Sequence, residues 1–451
     1  DYTWELFWGQ GKDPKLANDD LETKKLKRDW VAINWTGESS SITGTDAIAW
    51  ARLGDPSIKP DRPLNDVEKK QQADFYLQLA RKSEGCPDDQ KPEGKFIAAN
   101  ERLSIPELVK RLINLKEIAE PLSIPPLDGS LTNLQRKPEK TENGKQLPGQ
   151  WTGCFTGDGD KMGNYLKLVY KNWGDEGLKK VSENLIGWGE DFRTVFPSSQ
   201  PAPENCFGQV IYAGGDDFLG LIYSRNSKDP ISAYTAFQWL KSFEWLKSFE
   251  AVDSSPTEWS NEGLPKVKGY PKEGEYQSPT VSVGFVWAGH SVPQRDVLQH
   301  CREAEKRAKT LDRNRVTIRV VFNSGQFIQW TCPWDKLNIL DQYSDRDGNK
   351  GKKANWSHVY NDWQQLQSRH AIRLVETEKQ EITEKDKQLA IKILDLYFNN
   401  AGTQIIEDSS RDQPWKYVAG DDKPVSIVNW IDDLINVGWQ LCSSISSKLH
   451  R

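Results

Sequence analysis

Two short stretches place carboxylates where the chain turns. FTGDGDKMG carries Asp158 and Asp160, and YAGGDDFLG carries Asp216 and Asp217. Adjacent like charges repel, and paired glycines cost backbone entropy. A bound cation removes that conflict. Magnesium takes oxygen ligands, commonly one or two carboxylates together with substrate phosphates, and manganese suits the same donors. Two such ions ~3.5–4 Å apart activate a hydroxyl and stabilise the leaving oxygen in a displacement at phosphorus. These residue types therefore point to phosphoryl or nucleotidyl transfer. Either stretch alone would read as a solvated turn with Asp as a turn former.

For the two pairs to meet, neighbouring elements must carry them. WTGCFTG reads as a strand that ends at Asp158 and Asp160. Met162, Leu166, Val169 and Trp173 recur at helical spacing. Leu178, Val181, Leu185, Trp188 and Phe192 form a second stripe of the same kind. GQVIYA and FLGLIY are short apolar strands joined by GGDD. Gly214 and Gly215 are expected to supply the positive φ of the tight turn. Residues 231–250 read as a helix and contain the tandem copy WLKSFEWLKSFE. TVSVGFVWA and RVTIRVVF read as strands flanking a helix with Val297, Cys301, Ala304, Ala308 and Leu311 on one face. The order, βααββαβαβ, contains the split βαβ of ferredoxin-like folds, an α+β class with helices expected on one face of the sheet. Ser282 alternates with Val281 and Val283 and is a candidate nucleotide contact. Arg302, Lys306, Lys309 and Arg313 make a basic stripe suited to phosphate oxygens.

Composition limits the function classes. The chain has 451 residues, room for about three domains. Its net charge is -5, so any grip on nucleic acid must be local or shared with partner subunits. No apolar run is long enough for a transmembrane helix. The N-terminal residues lack a signal-peptide pattern, which sets the expectation of a cytoplasmic protein. Six scattered cysteines without a C-x-x-C pair argue against a disulfide framework or a four-cysteine zinc site. None of the five histidines precedes an aspartate, so no His-Asp nuclease signature is present. The first residue is Asp, which leaves an upstream segment open.

Around that centre, residues 1–120 mix tryptophan-rich and helical patterns, the clearest helix being 104–118 with Ser104 as N-cap and Glu107 completing a capping box. Residues 121–150 read as a linker, 151–342 as the catalytic domain with an insertion at 253–278, and 343–451 as a separate C-terminal helical bundle.

FTGDGDKMG, YAGGDDFLG, SVGFV and AEKRAKTLDRN resemble the palm domain of the large subunit of type III CRISPR effector complexes, a palm related to GGDEF diguanylate cyclases and class III nucleotide cyclases. AEKRAKTLDRN is also similar to the GGDEF segment in which a lysine followed by x-x-G-R-N contacts phosphates. Lys309, Arg313 and Asn314 match it, and Asp312 stands where that pattern has glycine. NERLSIPELVKRL resembles the segment preceding the catalytic palm, and the tail after 350 resembles the family's C-terminal bundle. The resemblance covers most of 95–330 by motif and the flanks loosely. It implies a ferredoxin-like nucleotidyl cyclase palm, flanked by helical domains, that condenses ATP into cyclic oligoadenylates with Mg or Mn when target RNA is held. By it, Asp158, Asp216 and Asp217 are catalytic and metal-binding, Asp160 is a further metal ligand, and Gly214 and Gly215 shape the turn. Lys309 and Arg313 match the phosphate-contacting segment. Implied partners are other CRISPR subunits, guide RNA and target RNA, with single-stranded DNA as a further candidate. The family's nuclease domain, second palm and cysteine zinc site are not recognisable here. A cyclase making cyclic dinucleotides and a non-catalytic palm scaffold are the alternative readings.

Overall fold

The computed structural model describes residues 6–442 except 28–37, 51–63, 125–133, 196–205, 225–229, 242–262, 375–381, 409–413 and a few shorter stretches. Most of the tandem copy and the start of the 253–278 insertion lie outside the described residues. The chain divides into two compact units, Asp1–Asn133 and Leu134–Arg451.

In the first unit, helices α1 (Pro14–Leu26), α2 (Asp66–Glu84), α3 (Ile105–Leu112) and α4 (Lys116–Ala119) are described. A small core gathers Ile48, Trp50, Tyr76, Ala80, Ile97 and Leu103. The capping box forms as its sequence requires: the Glu107 amide donates to Ser104 Oγ, and the Ser104 amide donates to Glu107 Oε2 at 2.7 Å. The helix expected over 104–118 is instead two short helices, α3 and α4.

The second unit is mixed α/β, built on a six-stranded, mostly antiparallel sheet. Its strands are β1 (Thr152–Gly159), β2 (Cys206–Gly214), β3 (Asp217–Ser224), β4 (Val281–Ala288), β5 (Arg315–Val321) and β6 (Phe327–Pro333). The spatial order is β6–β5–β4–β1–β3–β2, and only the β4–β5 pair is parallel. That pair needs a crossover, supplied by α7 (Gln294–Thr310). β1 and β2 are joined through α5 (Met162–Val195), where the two expected helices run together across a kink at Gly174. Helix α6 (Ala233–Lys241) follows β3.

Helices cover both faces of the sheet, not one. Successive side chains of a strand point to opposite faces. Phe155, Phe285 and Trp287 join the large core with Tyr165, Val169 and Phe192 of α5 and Phe237 of α6. Their neighbours Cys154, Val286 and Ala288 join a second core with Val297 and Cys301 of α7. The parallel crossover puts α7 on the face opposite α5, which is why β4 is buried along its whole length.

The tail also departs from a free-standing bundle. Its helices are α8 (Ser357–Ser368), α9 (Glu384–Tyr397), α10 (Ala401–Ile406), α11 (Pro414–Ala419) and α12 (Pro424–Cys442). They share the large core with the sheet, and Trp430 of α12 donates its indole N–H to the Thr331 carbonyl of β6 at 2.8 Å. Among the described residues no helix is long and apolar enough to cross a membrane.

Candidate active site

The hairpin GGDD turns on one glycine. Gly215 has φ +65°, with Gly214 and Asp217 paired across a two-residue loop. Positive φ at the first central residue alone is the sign pattern of a type II′ turn. Gly214 closes β2 in ordinary strand geometry, so the expected pair of left-handed glycines reduces to Gly215.

Register brings the acids together. Gly157 lies opposite Phe218 in the antiparallel β1–β3 pair, and one more step sets Asp158 beside Asp217. The approach depends on missing side chains. A Cβ at Gly159 would sit 2.8 Å from Asp216 Cβ and 2.9 Å from its Oδ2, and one at Gly157 would sit 1.9 Å from the Phe218 ring. The glycines of GDGD thus let the hairpin tip close onto β1.

Lys309 meets this group from α7. Its ammonium pairs with Asp158 and, at 2.6 Å, with Glu305 one turn earlier. Gly284 makes that reach possible, since a Cβ there would lie 2.3 Å from the Cys301 carbonyl and 2.4 Å from the Glu305 nitrogen. The helix backbone therefore rests directly on β4. Close hydrogen-bonding contact with Asp158, with burial and repulsion from Asp158 and Asp216, pushes Asp217 up to about 7. Burial, then the Asp158 charge and contact, pushes Asp216 up as well. Burial pulls Lys309 down, but Asp158 and Glu305 outweigh it and hold the ammonium above its usual range.

Asp160 and Ser282 lie in a different set of contacts. Asp160 is 1% exposed. Its Oδ1 accepts from Ser282 Oγ at 2.7 Å, and its Oδ2 accepts from Thr280 Oγ1 at 2.8 Å and the Asn314 amide at 2.9 Å. Its carbonyl accepts from Tyr270. Two of the candidate site residues are thus bonded to each other. Ser282 is fully buried and bonded to Asp160, not open to a nucleotide. Asp160 is walled in by donors, not gathered with the other three carboxylates.

Between α7 and β5, Asp312, Arg313 and Asn314 all have positive φ, at +81°, +61° and +48°. Three non-glycine residues in a row in that region are strained. Arg313 is half-buried and makes no side-chain hydrogen bond or ion pair among the described residues. Of the rest of the basic stripe, Arg302 and Lys306 are exposed. Sequence reasoning missed Glu305, Gly159 and Gly284. Glu305 was discoverable from its i−4 spacing to Lys309. The two glycines carry no signal beyond their type.

Asp158, Asp216 and Asp217 offer an all-oxygen donor set that could hold a hard divalent cation. Among the described residues the group whose ligand atoms lie within 4.8 Å of one another is a different one, Asp345, Asp347 and His358.

No protein-family model and no curated protein matches the chain. The chain is similar to the solved structure of the GGDEF domain of DgcB from Caulobacter crescentus in complex with c-di-GMP, at 17% identity over 39% of this chain and 78% of that one, with a TM-score of 0.22. It is similar to Csm1 in T. onnurineus at 16% identity, over 66% of this chain and 38% of that one, with a TM-score of 0.33. It is also similar to the apo Csm1–Csm4 cassette at 16% identity, over 68% of this chain and 40% of that one, with a TM-score of 0.34. The chain thus spans about 40% of the Csm1-containing chains it matches.

Proposed function

We propose that the sheet unit is a ferredoxin-like nucleotidyl cyclase palm that joins ATP molecules into cyclic oligoadenylates. In this reading it acts as part of a type III CRISPR large subunit, in the cytoplasm, with guide and target RNA held by the complex. The observation that carries the reading is the convergence of Asp158, Asp216 and Asp217 with Lys309 at one end of antiparallel β1 and β3. The β4–β1–β3–β2 order, antiparallel throughout, supports the palm assignment.

In the reaction a ribose 3′-hydroxyl, its proton passing to solvent, attacks the α-phosphorus of a second ATP. The new P–O bond forms as the bond to pyrophosphate breaks. A divalent cation held by Asp158, Asp216 and Asp217 would supply charge stabilisation at the reacting phosphate. The chain's own residues do the rest. Lys309 exchanges its Asp158 contact for phosphate oxygens, and Arg313 adds a second cation to the polyphosphate. Gly215 keeps the hairpin tip narrow enough for a phosphate to approach the backbone.

The test is to incubate the assembled complex with ATP, GTP, magnesium and cognate target RNA, and to identify products by mass spectrometry. Target-dependent cyclic adenylates are expected. A guanine cyclic dinucleotide formed without RNA would move the assignment to a diguanylate-type cyclase. ATP binding with no product under magnesium or manganese would make the palm a scaffold.

A further inference from the structure

Arg315 opens β5 and is 1% exposed. Its guanidinium meets three main-chain carbonyls: Arg313 at 2.9 Å from Nε, Tyr417 at 3.1 Å from Nη2 and Val418 at 3.4 Å from Nη1. No carboxylate lies within ion-pair distance among the described residues. A buried, unpaired cation is costly unless it satisfies something that must be held. What it holds is a junction. Arg313 belongs to the left-handed run 312–314, while Tyr417 and Val418 lie in the last turn of α11 in the tail. Donors with positive charge suit a helix C-terminus.

The junction is tight from the other side. Gly420 has φ +74°, and a Cβ there would lie 2.6 Å from both Cβ and O of Leu311. The end of α11 therefore sits directly against the residue that caps α7. Two residues before that cap is Lys309, and three residues after it the Asn314 amide binds Asp160. Arg307 of α7 is also paired with Asp433 of α12 at 3.6 Å. The tail thus grips both the helix and the strained turn that present the site.

We propose that Arg315 is a positioning residue, through which the tail helix at 414–419 fixes the 311–314 turn and so the placement of Lys309. This rests on the nucleotidyl cyclase reading for its effect on ATP. Its effect on the turn stands independently. A lysine keeps the charge but cannot bridge the three carbonyls as a planar fork does. Arg315→Lys is therefore expected to speed hydrogen exchange at the Arg313 and Asn314 amides about tenfold, as loss of one charge-assisted hydrogen bond implies. Amides of β1 and β3 keep their protection.

Gly420→Ala should give the same local pattern, because its methyl group pushes the tail from Leu311. The pair combined should expose the turn no more than the stronger single change, since both open one contact. In the full complex either change should raise KM for ATP more than it lowers kcat. Unchanged exchange at 313–314 in a folded Arg315→Lys protein, or effects of the two changes that multiply, would overturn the proposal. Should Arg315→Lys not fold, Gly420→Ala decides by the same exchange readout. If the wild-type complex turns over no ATP, the cyclase reading fails, and the exchange experiment still settles the positioning role.

Discussion

The molecule holds two groups of carboxylates whose sequences look alike and whose surroundings differ. At the hairpin tip, Asp216 and Asp217 face Asp158, and the nearest cation is the single ammonium of Lys309. In the loop after the sheet, Asp345 of SDRDGN is wrapped by donors. Its Oδ1 accepts from the amides of Asp347 at 3.0 Å and Asn349 at 2.8 Å, and its Oδ2 accepts from the Asn355 amide at 2.8 Å and Asn349 Nδ2 at 3.2 Å. Burial raises Asp345, but those amides outweigh it and hold the carboxyl below its usual range. The tip carboxyls are pushed the other way. A carboxylate saturated by main-chain N–H groups organises a loop, whereas carboxylates set against each other keep free lone pairs for a cation. Asp345 could join a metal with Asp347 and His358 only by surrendering hydrogen bonds that hold its own loop.

The sharpest way to break this contrast is to remove each group. Asp216→Ala with Asp217→Ala should lower ATP turnover ~10³-fold or more, since metal-assisted charge stabilisation amounts to several kcal/mol. Thermal stability should stay level or rise, because mutual repulsion goes with the charges. Asp345→Ala should do the reverse: a lower Tm, with turnover per folded molecule retained. Rate assays alongside calorimetry separate the outcomes. Loss of folding in the tip variant would mean that the pair is structural.

The next effect down isolates the cation at the tip. Lys309→Ala should weaken ATP binding ~10- to 100-fold, the usual range for a charge-assisted hydrogen bond. It should also push Asp158 and its neighbours further apart in the absence of divalent ions. Isothermal titration with a non-hydrolysable ATP analogue measures the first effect. An affinity unchanged from wild type would remove Lys309 from the phosphate site.

How much of this was legible in the sequence depends on which force decided each residue. The tip aspartates, the β1 strand and the α7 stripe follow from local periodicity, and the structure buries Val297, Cys301, Ala304 and Ala308 as that periodicity requires. The Ser104–Glu107 box is equally local. Asp160 looked like the twin of Asp158, two residues away at the same strand end. Its role was set by Thr280, Ser282 and Asn314, which are distant in sequence and meet it only after folding. β6 was missed because its pairing with β5 ends in Pro333, a residue that discourages a strand reading. The covering of both sheet faces followed from the handedness of the β4–α7–β5 crossover, a tertiary constraint that composition does not carry.

The two groups should also differ in sign against pH. Asp217 has a folded pKa raised from the carboxylate range to about 7. Its contribution to stability is full below pH ~4 and is lost as pH rises through about 7. Asp345 is lowered, so its contribution is present at neutral pH and is lost on acidification. Asp217→Asn should therefore stabilise the metal-free chain at pH 8 relative to wild type, by about 1 kcal/mol once solvent screening at the exposed tip is allowed for. At pH 4 the difference should vanish. Magnesium should erase the wild-type decline and leave Asp217→Asn unmoved. Melting curves at the two pH values, with and without the ion, read all of this directly.

The smallest expected effect concerns the turn that presents Lys309. Asp312 sits at φ +81°, and among the described residues its ion-pair partner is the distant Lys272 at 4.0 Å. A non-glycine residue in the left-handed region costs about 1–2 kcal/mol, while glycine loses roughly 0.5–1 kcal/mol more backbone entropy on folding than alanine does. Asp312→Gly should accordingly stabilise by at most about 1.5 kcal/mol. Asp345→Gly, at a position held by hydrogen bonds, should only destabilise. If the strain at 312 is relieved without loss of turnover, the left-handed run is a tolerated substitution within an ordinary turn. If stability rises while KM for ATP worsens, the strain itself holds Lys309 and Arg313 toward the carboxylates, and the tip would depend on tension where the Asp345 loop depends on saturation.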